Sequence, residues 1–186
     1  MPARAVCVFC GSSPGANPAF TDAATDFGRG LAARGVGLVY GGASIGLMGV
    51  VADAAIAAGG QATGVITEAL AGHEIAHSSL SDLHVVTNMH ERKAMMSSLS
   101  DAFAMLPGGF GTLEEFMESV TWAQLGLHDK CCGILNVDGF FDDLLGFVGH
   151  AVAEGFIKAM QVDRLIVAKD AASLLDALVG AEERPG

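Results

Sequence analysis

A Rossmann-like α/β fold is what this sequence predicts: a doubly wound, mostly parallel sheet with helices on both faces. Three features predict it. Short, wholly apolar runs alternate with helix-length segments along the whole chain, and strands apolar on both faces belong to parallel sheets covered on each side. These runs are bounded by Gly, Asn, Asp or Pro, the residues that end strands. Ala, Gly, Val and Leu carry most of the 51% hydrophobic content while aromatics make up only 6%, and small side chains let helices pack closely on a sheet. A length of 186 residues suits one domain, 1–186, whose core needs no disulfides.

In chain order, the first strand is read at 5–10, where Ala5-Val6-Cys7-Val8-Phe9-Cys10 stops at Gly11, and the first helix at 18–34. Strand 36–40 runs into Gly41-Gly42 and precedes a helix at 47–58. Strand 62–66, strand 84–87 and a helix at 90–99 follow. Pro107 ends strand 102–106, and a helix is read at 111–124. Strand 132–136, helix 140–154, strand 165–168 and helix 171–179 complete the pattern, with Asp170 as N-cap of the last helix. No internal repeat, low-complexity tract or linker interrupts it. Open α/β sheets bind ligands at the carboxyl ends of their strands, where strand order reverses. The strand-to-helix turns are therefore where chemistry is expected.

Charge and composition exclude several classes of function. A 51% apolar, 17% charged chain is not disordered. Its net charge of −11 argues against broad nucleic-acid binding, which needs many phosphates neutralised together. The ten Lys and Arg are scattered apart from Arg92-Lys93, so an anionic ligand must be held locally, by backbone amides and one or two cations. The most apolar stretch, 50–66, holds Asp53, Gln61 and three glycines and does not read as a membrane span. Nor does the N-terminus read as a signal peptide, so a cytoplasmic location is expected.

Cys7-x-x-Cys10 has the spacing of a zinc or redox pair. Within a strand, however, positions three apart point to opposite faces, and these thiols are expected in the core, like Cys131 and Cys132. None of His73, His77, His84, His90, His128 and His150 forms an H-E-x-x-H pattern, and no metal and no cofactor are expected.

Four turns stand out. Gly11-Ser12-Ser13-Pro14 follows the first strand and offers two hydroxyls to an anion, or is a plain polar loop. The run from Gly41-Gly42-Ala43 to Gly46-Leu47-Met48-Gly49 follows the second strand. Its glycines permit close approach to a ligand, or tight packing of the next helix. It lacks the G-x-G-x-x-G of dinucleotide binding. Pro107-Gly108-Gly109-Phe110-Gly111-Thr112-Leu113-Glu114-Glu115 is the strongest signal. Its glycine amides and the following helix N-terminus form an anion cradle. Thr112 adds a hydroxyl, and Glu115, three residues on, shares its helix face. Met89-His90-Glu91-Arg92-Lys93 places two cations near a helix start, where the dipole disfavours them, which suggests a task. Trp122 and Gln124 are read as packing at a helix end or lining a pocket.

Together these segments resemble the Lonely Guy (LOG) family of cytokinin riboside 5′-monophosphate phosphoribohydrolases. The matching residues are Cys10-Gly11-Ser12-Ser13, the Tyr40–Gly49 turn, Met89-His90-Glu91-Arg92-Lys93, the PGGxGTxxE run Pro107–Glu115, Thr121–Gly126 and Leu135–Gly139. The resemblance spans nearly the whole chain. It implies a homodimeric Rossmann fold, release of a free base and ribose 5-phosphate, and Arg92 and Glu115 as the catalytic pair. Ser13, Gly42, Met89, Lys93, Gly108, Gly109, Gly111 and Thr112 are expected to contact substrate. Arg92 either assists the departing base or grips phosphate. The chain departs from the family at Ala43, where a third glycine is usual, at Thr67-Glu68 and at Cys131. Ala43 is expected to narrow the approach to the ligand. One rival reading is a non-catalytic nucleotide or molybdenum-cofactor carrier, although a carrier needs no carboxylate beside a phosphate cradle. A pyridoxal-phosphate decarboxylase would need a lysine in a suitable pocket, and none of Lys93, Lys130, Lys158 and Lys169 has such a setting. A dimer that has lost activity is the third rival.

Overall fold

The structure is a computed structural model and describes residues 4–71 and 76–180. Seven parallel strands form one sheet in the order β4-β3-β2-β1-β5-β6-β7. They are β1 (Ala5–Phe9), β2 (Gly37–Tyr40), β3 (Ala62–Thr67), β4 (Asp82–Val86), β5 (Ala102–Met105), β6 (Cys131–Leu135) and β7 (Leu165–Ala168). The helices are α1 (Pro18–Ala33), α2 (Gly46–Ala57), α3 (Glu68–Ala71), α4 (Met89–Ser98), α5 (Phe110–Gln124), α6 (Asp142–Ala153), α7 (Ala159–Val162) and α8 (Ala171–Gly180). Among the described residues no helix is long and apolar enough to cross a membrane.

The apolar runs of the central strands are buried on both faces, while the edge strands β4 and β7 are partly exposed. One core joins Phe27 and Leu31 of α1, Val51 and Ala55 of α2, and Leu174 and Leu178 of α8 to Val6 and Val8 of β1. The opposite core joins Met96 of α4 and Phe116 of α5 to Cys7, Phe9 and Phe103. Cys7 and Cys10 fall in different cores, as strand alternation requires.

Helix caps follow their sequence. Asn17 accepts from Ala19 N (3.0 Å), Asn88 from Glu91 N (2.9 Å) and Asp170 from Ser173 N (2.8 Å), each quenching a free amide of the first turn. Most boundaries shift by a residue, and two shift by two residues. β4 begins at Asp82, two residues early, because Asp82 and Leu83 continue the ladder with Thr63 and Gly64 of β3. α6 begins at Asp142 rather than 140. Asp138 and Gly139 have positive φ (50° and 74°), and Asn136 Oδ1 accepts from Phe141 N at 2.8 Å, so the chain turns once more before entering the helix. The single-turn helices α3 and α7 were not expected, being too short to show periodicity.

Candidate active site

The sheet reverses its strand order at β1, which has β2 on one side and β5 on the other. Three glycine turns interlock at its carboxyl end. Gly11 N donates to Pro107 O (3.0 Å), and Leu47 N donates to Gly11 O (2.9 Å). Gly46 has φ +58°, and a methyl group there would land on the Ser12–Ser13 backbone. A methyl on Gly108 would land on Thr112 Oγ1. These glycines are demanded by the fold.

Gly109 and Gly111 are not. A methyl added at either would meet nothing within 4 Å, and the Gly109 φ of −104° is open to any residue. Both are exposed, and Phe110 between them is 93% exposed. No side chain caps α5 at Gly109, unlike the Asn and Asp caps of α1, α4 and α8. Uncapped first-turn amides behind small exposed residues suit an incoming anion.

Arg92 and Glu115 meet beside this cradle. Arg92 Nη1 lies 3.3 Å from Glu115 Oε1, with the two side chains 7% and 12% exposed. Arg92 Nε donates to Val65 O (2.9 Å) and Nη2 to Gly41 O (3.3 Å), while Nη1 reaches Met89 Sδ at 3.7 Å. The guanidinium is thus fixed from three sides. A methyl on Gly41 would land on Arg92 Nη2, so glycine there makes room for the guanidinium. Glu115 also sits close enough to β1 to act on its thiols. Burial first, and the Glu115 charge second, push both Cys7 and Cys10 well above the ordinary thiol range. Cys132 is pushed up to about 12 by burial and the neighbouring Cys131.

The other residues expected to contact substrate divide. Thr112 is buried one turn before Glu115, Ser13 is exposed in the first turn, and Met89 is half-exposed with its sulfur beside Arg92. Gly42 is buried, with φ +79° and its carbonyl accepting from His77 N at 3.0 Å. A methyl there would meet Leu83 Cδ1 at 3.3 Å, so its glycine serves the turn and its packing. Lys93 was expected on substrate, but its ammonium lies 2.5 Å from Glu114 Oε1 and 3.1 Å from Glu118 Oε2. Ala43 does not narrow the approach as expected: its methyl is fully buried in the α1–α2 core, where its backbone bridges Ala76.

Elsewhere, Trp122 is half-buried and its carbonyl accepts from Leu127 N (2.9 Å), whereas Gln124 is exposed. His77 Nε2 pairs with Asp53 Oδ1 at 2.9 Å. His73 and Glu74 lie outside the described residues, and among the described ones no three His, Cys, Asp or Glu gather as a metal site. Lys130 Nζ donates to Ser97 O (2.5 Å), while Lys158 and Lys169 are exposed. With Lys93 held by carboxylates, no lysine has the setting of a Schiff-base residue.

A family model described as possible lysine decarboxylase matches residues 48–178. The chain is 52% identical over 175 residues to the "Probable cytokinin riboside 5′-monophosphate phosphoribohydrolase LOGL9" of Oryza sativa subsp. japonica, covering 94% of this chain and 77% of that one. It is 47% identical over 175 residues to the "Cytokinin riboside 5′-monophosphate phosphoribohydrolase LOG3" of Arabidopsis thaliana, covering 94% and 81%. Among solved structures, the molybdenum cofactor binding protein from Rippkaea orientalis aligns with a TM-score of 0.74 at 20% identity, over 98% of this chain and 99% of that one. Likeness at that identity speaks for the fold alone.

Proposed function

The chain belongs to the Lonely Guy family, whose model carries the description possible lysine decarboxylase, and from that premise we propose how its site performs the family reaction. The chain is a phosphoribohydrolase that breaks the N-glycosidic bond of a nucleoside 5′-monophosphate; we propose cytokinin riboside 5′-monophosphate or AMP as the substrate and free base and ribose 5-phosphate as the products.

The observation that carries our reading of the site is the buried Arg92–Glu115 pair one turn beyond an uncapped glycine loop. Cleaving an N-glycosidic bond builds positive charge on the sugar. In our reading Glu115 faces C1′, stabilises that charge and orients the attacking water. Arg92 aims the carboxylate, because Val65 O and Gly41 O hold its guanidinium in place. Nη1 is then turned toward Glu115, where it steers the carboxylate and polarises the departing base. The amides following Gly108 and Gly109, with Gly111, Thr112 and Ser13, hold the phosphate. Binding at that remote end positions the sugar for reaction. Met89 borders the approach to Arg92.

We also propose a cytoplasmic homodimer. Phe147, Phe156 and Met160 are exposed on and after α6 and offer apolar surface to a second copy. Light scattering in solution reads the assembly.

The test of the reaction is product identification from AMP and from adenosine. AMP yields adenine and ribose 5-phosphate, with a higher kcat/KM than adenosine. Equal kcat/KM for the two contradicts the phosphate cradle, and release of no base from any nucleoside 5′-monophosphate contradicts the activity.

A further inference from the structure

Resting on the hydrolase reading above, we propose that Lys93 is a positioning residue. By bridging Glu114 and Glu118 it sets α4 against α5 and so fixes the Arg92–Glu115 pair. The two reacting side chains stand on helices with separate footings: α4 packs on β3 and β4, whereas α5 packs on β5 and β1. In the sheet, β2 lies between those two footings. The two helices share a core through Met96 and Phe116, but each stands on its own pair of strands, so a direct tie between them at the level of the reacting side chains sharpens their spacing.

The Arg92–Glu115 contact does not set that spacing by itself. At 3.3 Å its nearest approach is longer than the 2.7–2.9 Å or so of a tight charge-assisted hydrogen bond. Lys93 supplies what is missing. It follows Arg92 in the chain, while Glu114 precedes Glu115 and Glu118 lies one turn after it. Its ammonium thus grips α5 on both sides of Glu115, at 2.5 and 3.1 Å.

Three further features agree. The Lys93 side chain is only 10% exposed, uncommon for lysine unless paired. Burial alone would lower its pKa, but the bonds to Glu114 and Glu118 outweigh burial and hold it above the usual lysine range. The ammonium therefore stays charged across the neutral range. Lys93 also occupies the two carboxylates nearest Glu115 in the chain, which leaves Arg92 to Glu115.

The test is steady-state kinetics on AMP with the full chain. Lys93→Gln lowers kcat about ten-fold by loosening the reactive geometry, with KM for AMP changed by less than about two-fold. Lys93→Arg restores most of kcat. In a Glu114→Gln/Glu118→Gln background, itself slowed to a similar degree, Lys93→Gln costs nothing further, as expected of residues acting as one unit. Effects that multiply, or a raised KM for AMP with kcat intact, overturn the assignment and put the ammonium on the phosphate. Should Lys93→Gln not fold by circular dichroism, the Glu114→Gln/Glu118→Gln protein decides alone: full kcat there overturns the proposal. A wild-type enzyme that releases no base from AMP or from any other nucleoside 5′-monophosphate overturns the hydrolase reading instead. An active wild type with unslowed variants overturns only the role of Lys93.

Discussion

Gly41 is the space in which Arg92 lies. A methyl group on Gly41 would fall on Arg92 Nη2 and come within 3.1 Å of Met48 Sδ, while the Gly41 carbonyl accepts from that same nitrogen at 3.3 Å. Gly41→Ala therefore displaces the guanidinium from both of its carbonyl anchors. We expect a loss of about 100-fold in kcat/KM, with the secondary structure intact by circular dichroism. Unchanged kinetics would remove Arg92 from the reactive geometry.

The glycines of the α5 loop answer differently to the same substitution. Gly108→Ala collides with Thr112 and lowers Tm. Gly109→Ala meets no atom within 4 Å, so Tm is retained. Gly111→Ala also meets none and, lying in the first turn of α5, raises stability by up to about 1 kcal/mol through the entropy that glycine loses on folding. Both of the latter raise KM for AMP if the phosphate rests on these amides. Thermal melts beside KM measurements check the set; unaltered KM in both would place the phosphate elsewhere.

Glu115→Gln keeps the shape of the side chain and a hydrogen-bonding oxygen toward Arg92, so folding persists. Turnover falls by about 100-fold or more, the scale of a lost acid–base group. Glu115→Ala differs, because stranding a buried guanidinium without its partner costs about 3–5 kcal/mol. Its melting temperature should fall well below that of Glu115→Gln.

His128 predicts a pH dependence of stability that is separate from catalysis. Burial first, then the Lys130 charge, depress its pKa below the ordinary histidine value, although the bond to Ser119 O opposes them. Nε2 lies 3.0 Å from Ser119 O, and Nδ1 accepts from Lys130 N at 3.2 Å, a pattern of the neutral ring. The unfolded chain thus binds the proton more readily than the native one. Its contribution is fully present above the unfolded value of about 6.5 and is lost as pH falls from there toward the lower folded value. Denaturant melts from pH 7.5 to 5 should show stability falling, and His128→Gln should flatten that slope. Parallel slopes in the two proteins would contradict this.

Much of this was legible in the sequence, for a physical reason. The central strands were readable because burial on both faces writes a continuous apolar run, the edge strands β4 and β7 from shorter apolar runs, and the six long helices from their length between them. Pro107–Glu115 and Arg92 stood out because dense glycine and paired cations are costly unless used. What could not be read depends on contacts across the fold. Gly41 looked like any turn glycine until Arg92, 51 residues away, was laid over it. Lys93 was read only as a substrate contact, because its partners Glu114 and Glu118 sit on another helix. Ala43 looked like an obstacle at the site because a turn sequence does not say which way a methyl faces.

The most direct measurement is a crystal structure of Glu115→Gln bound to AMP. The phosphate oxygens are expected about 3 Å from the backbone amides at the start of α5, with C1′ of the ribose facing the residue 115 side chain. A phosphate held away from that loop, or a ribose with C1′ turned from residue 115, would contradict that placement.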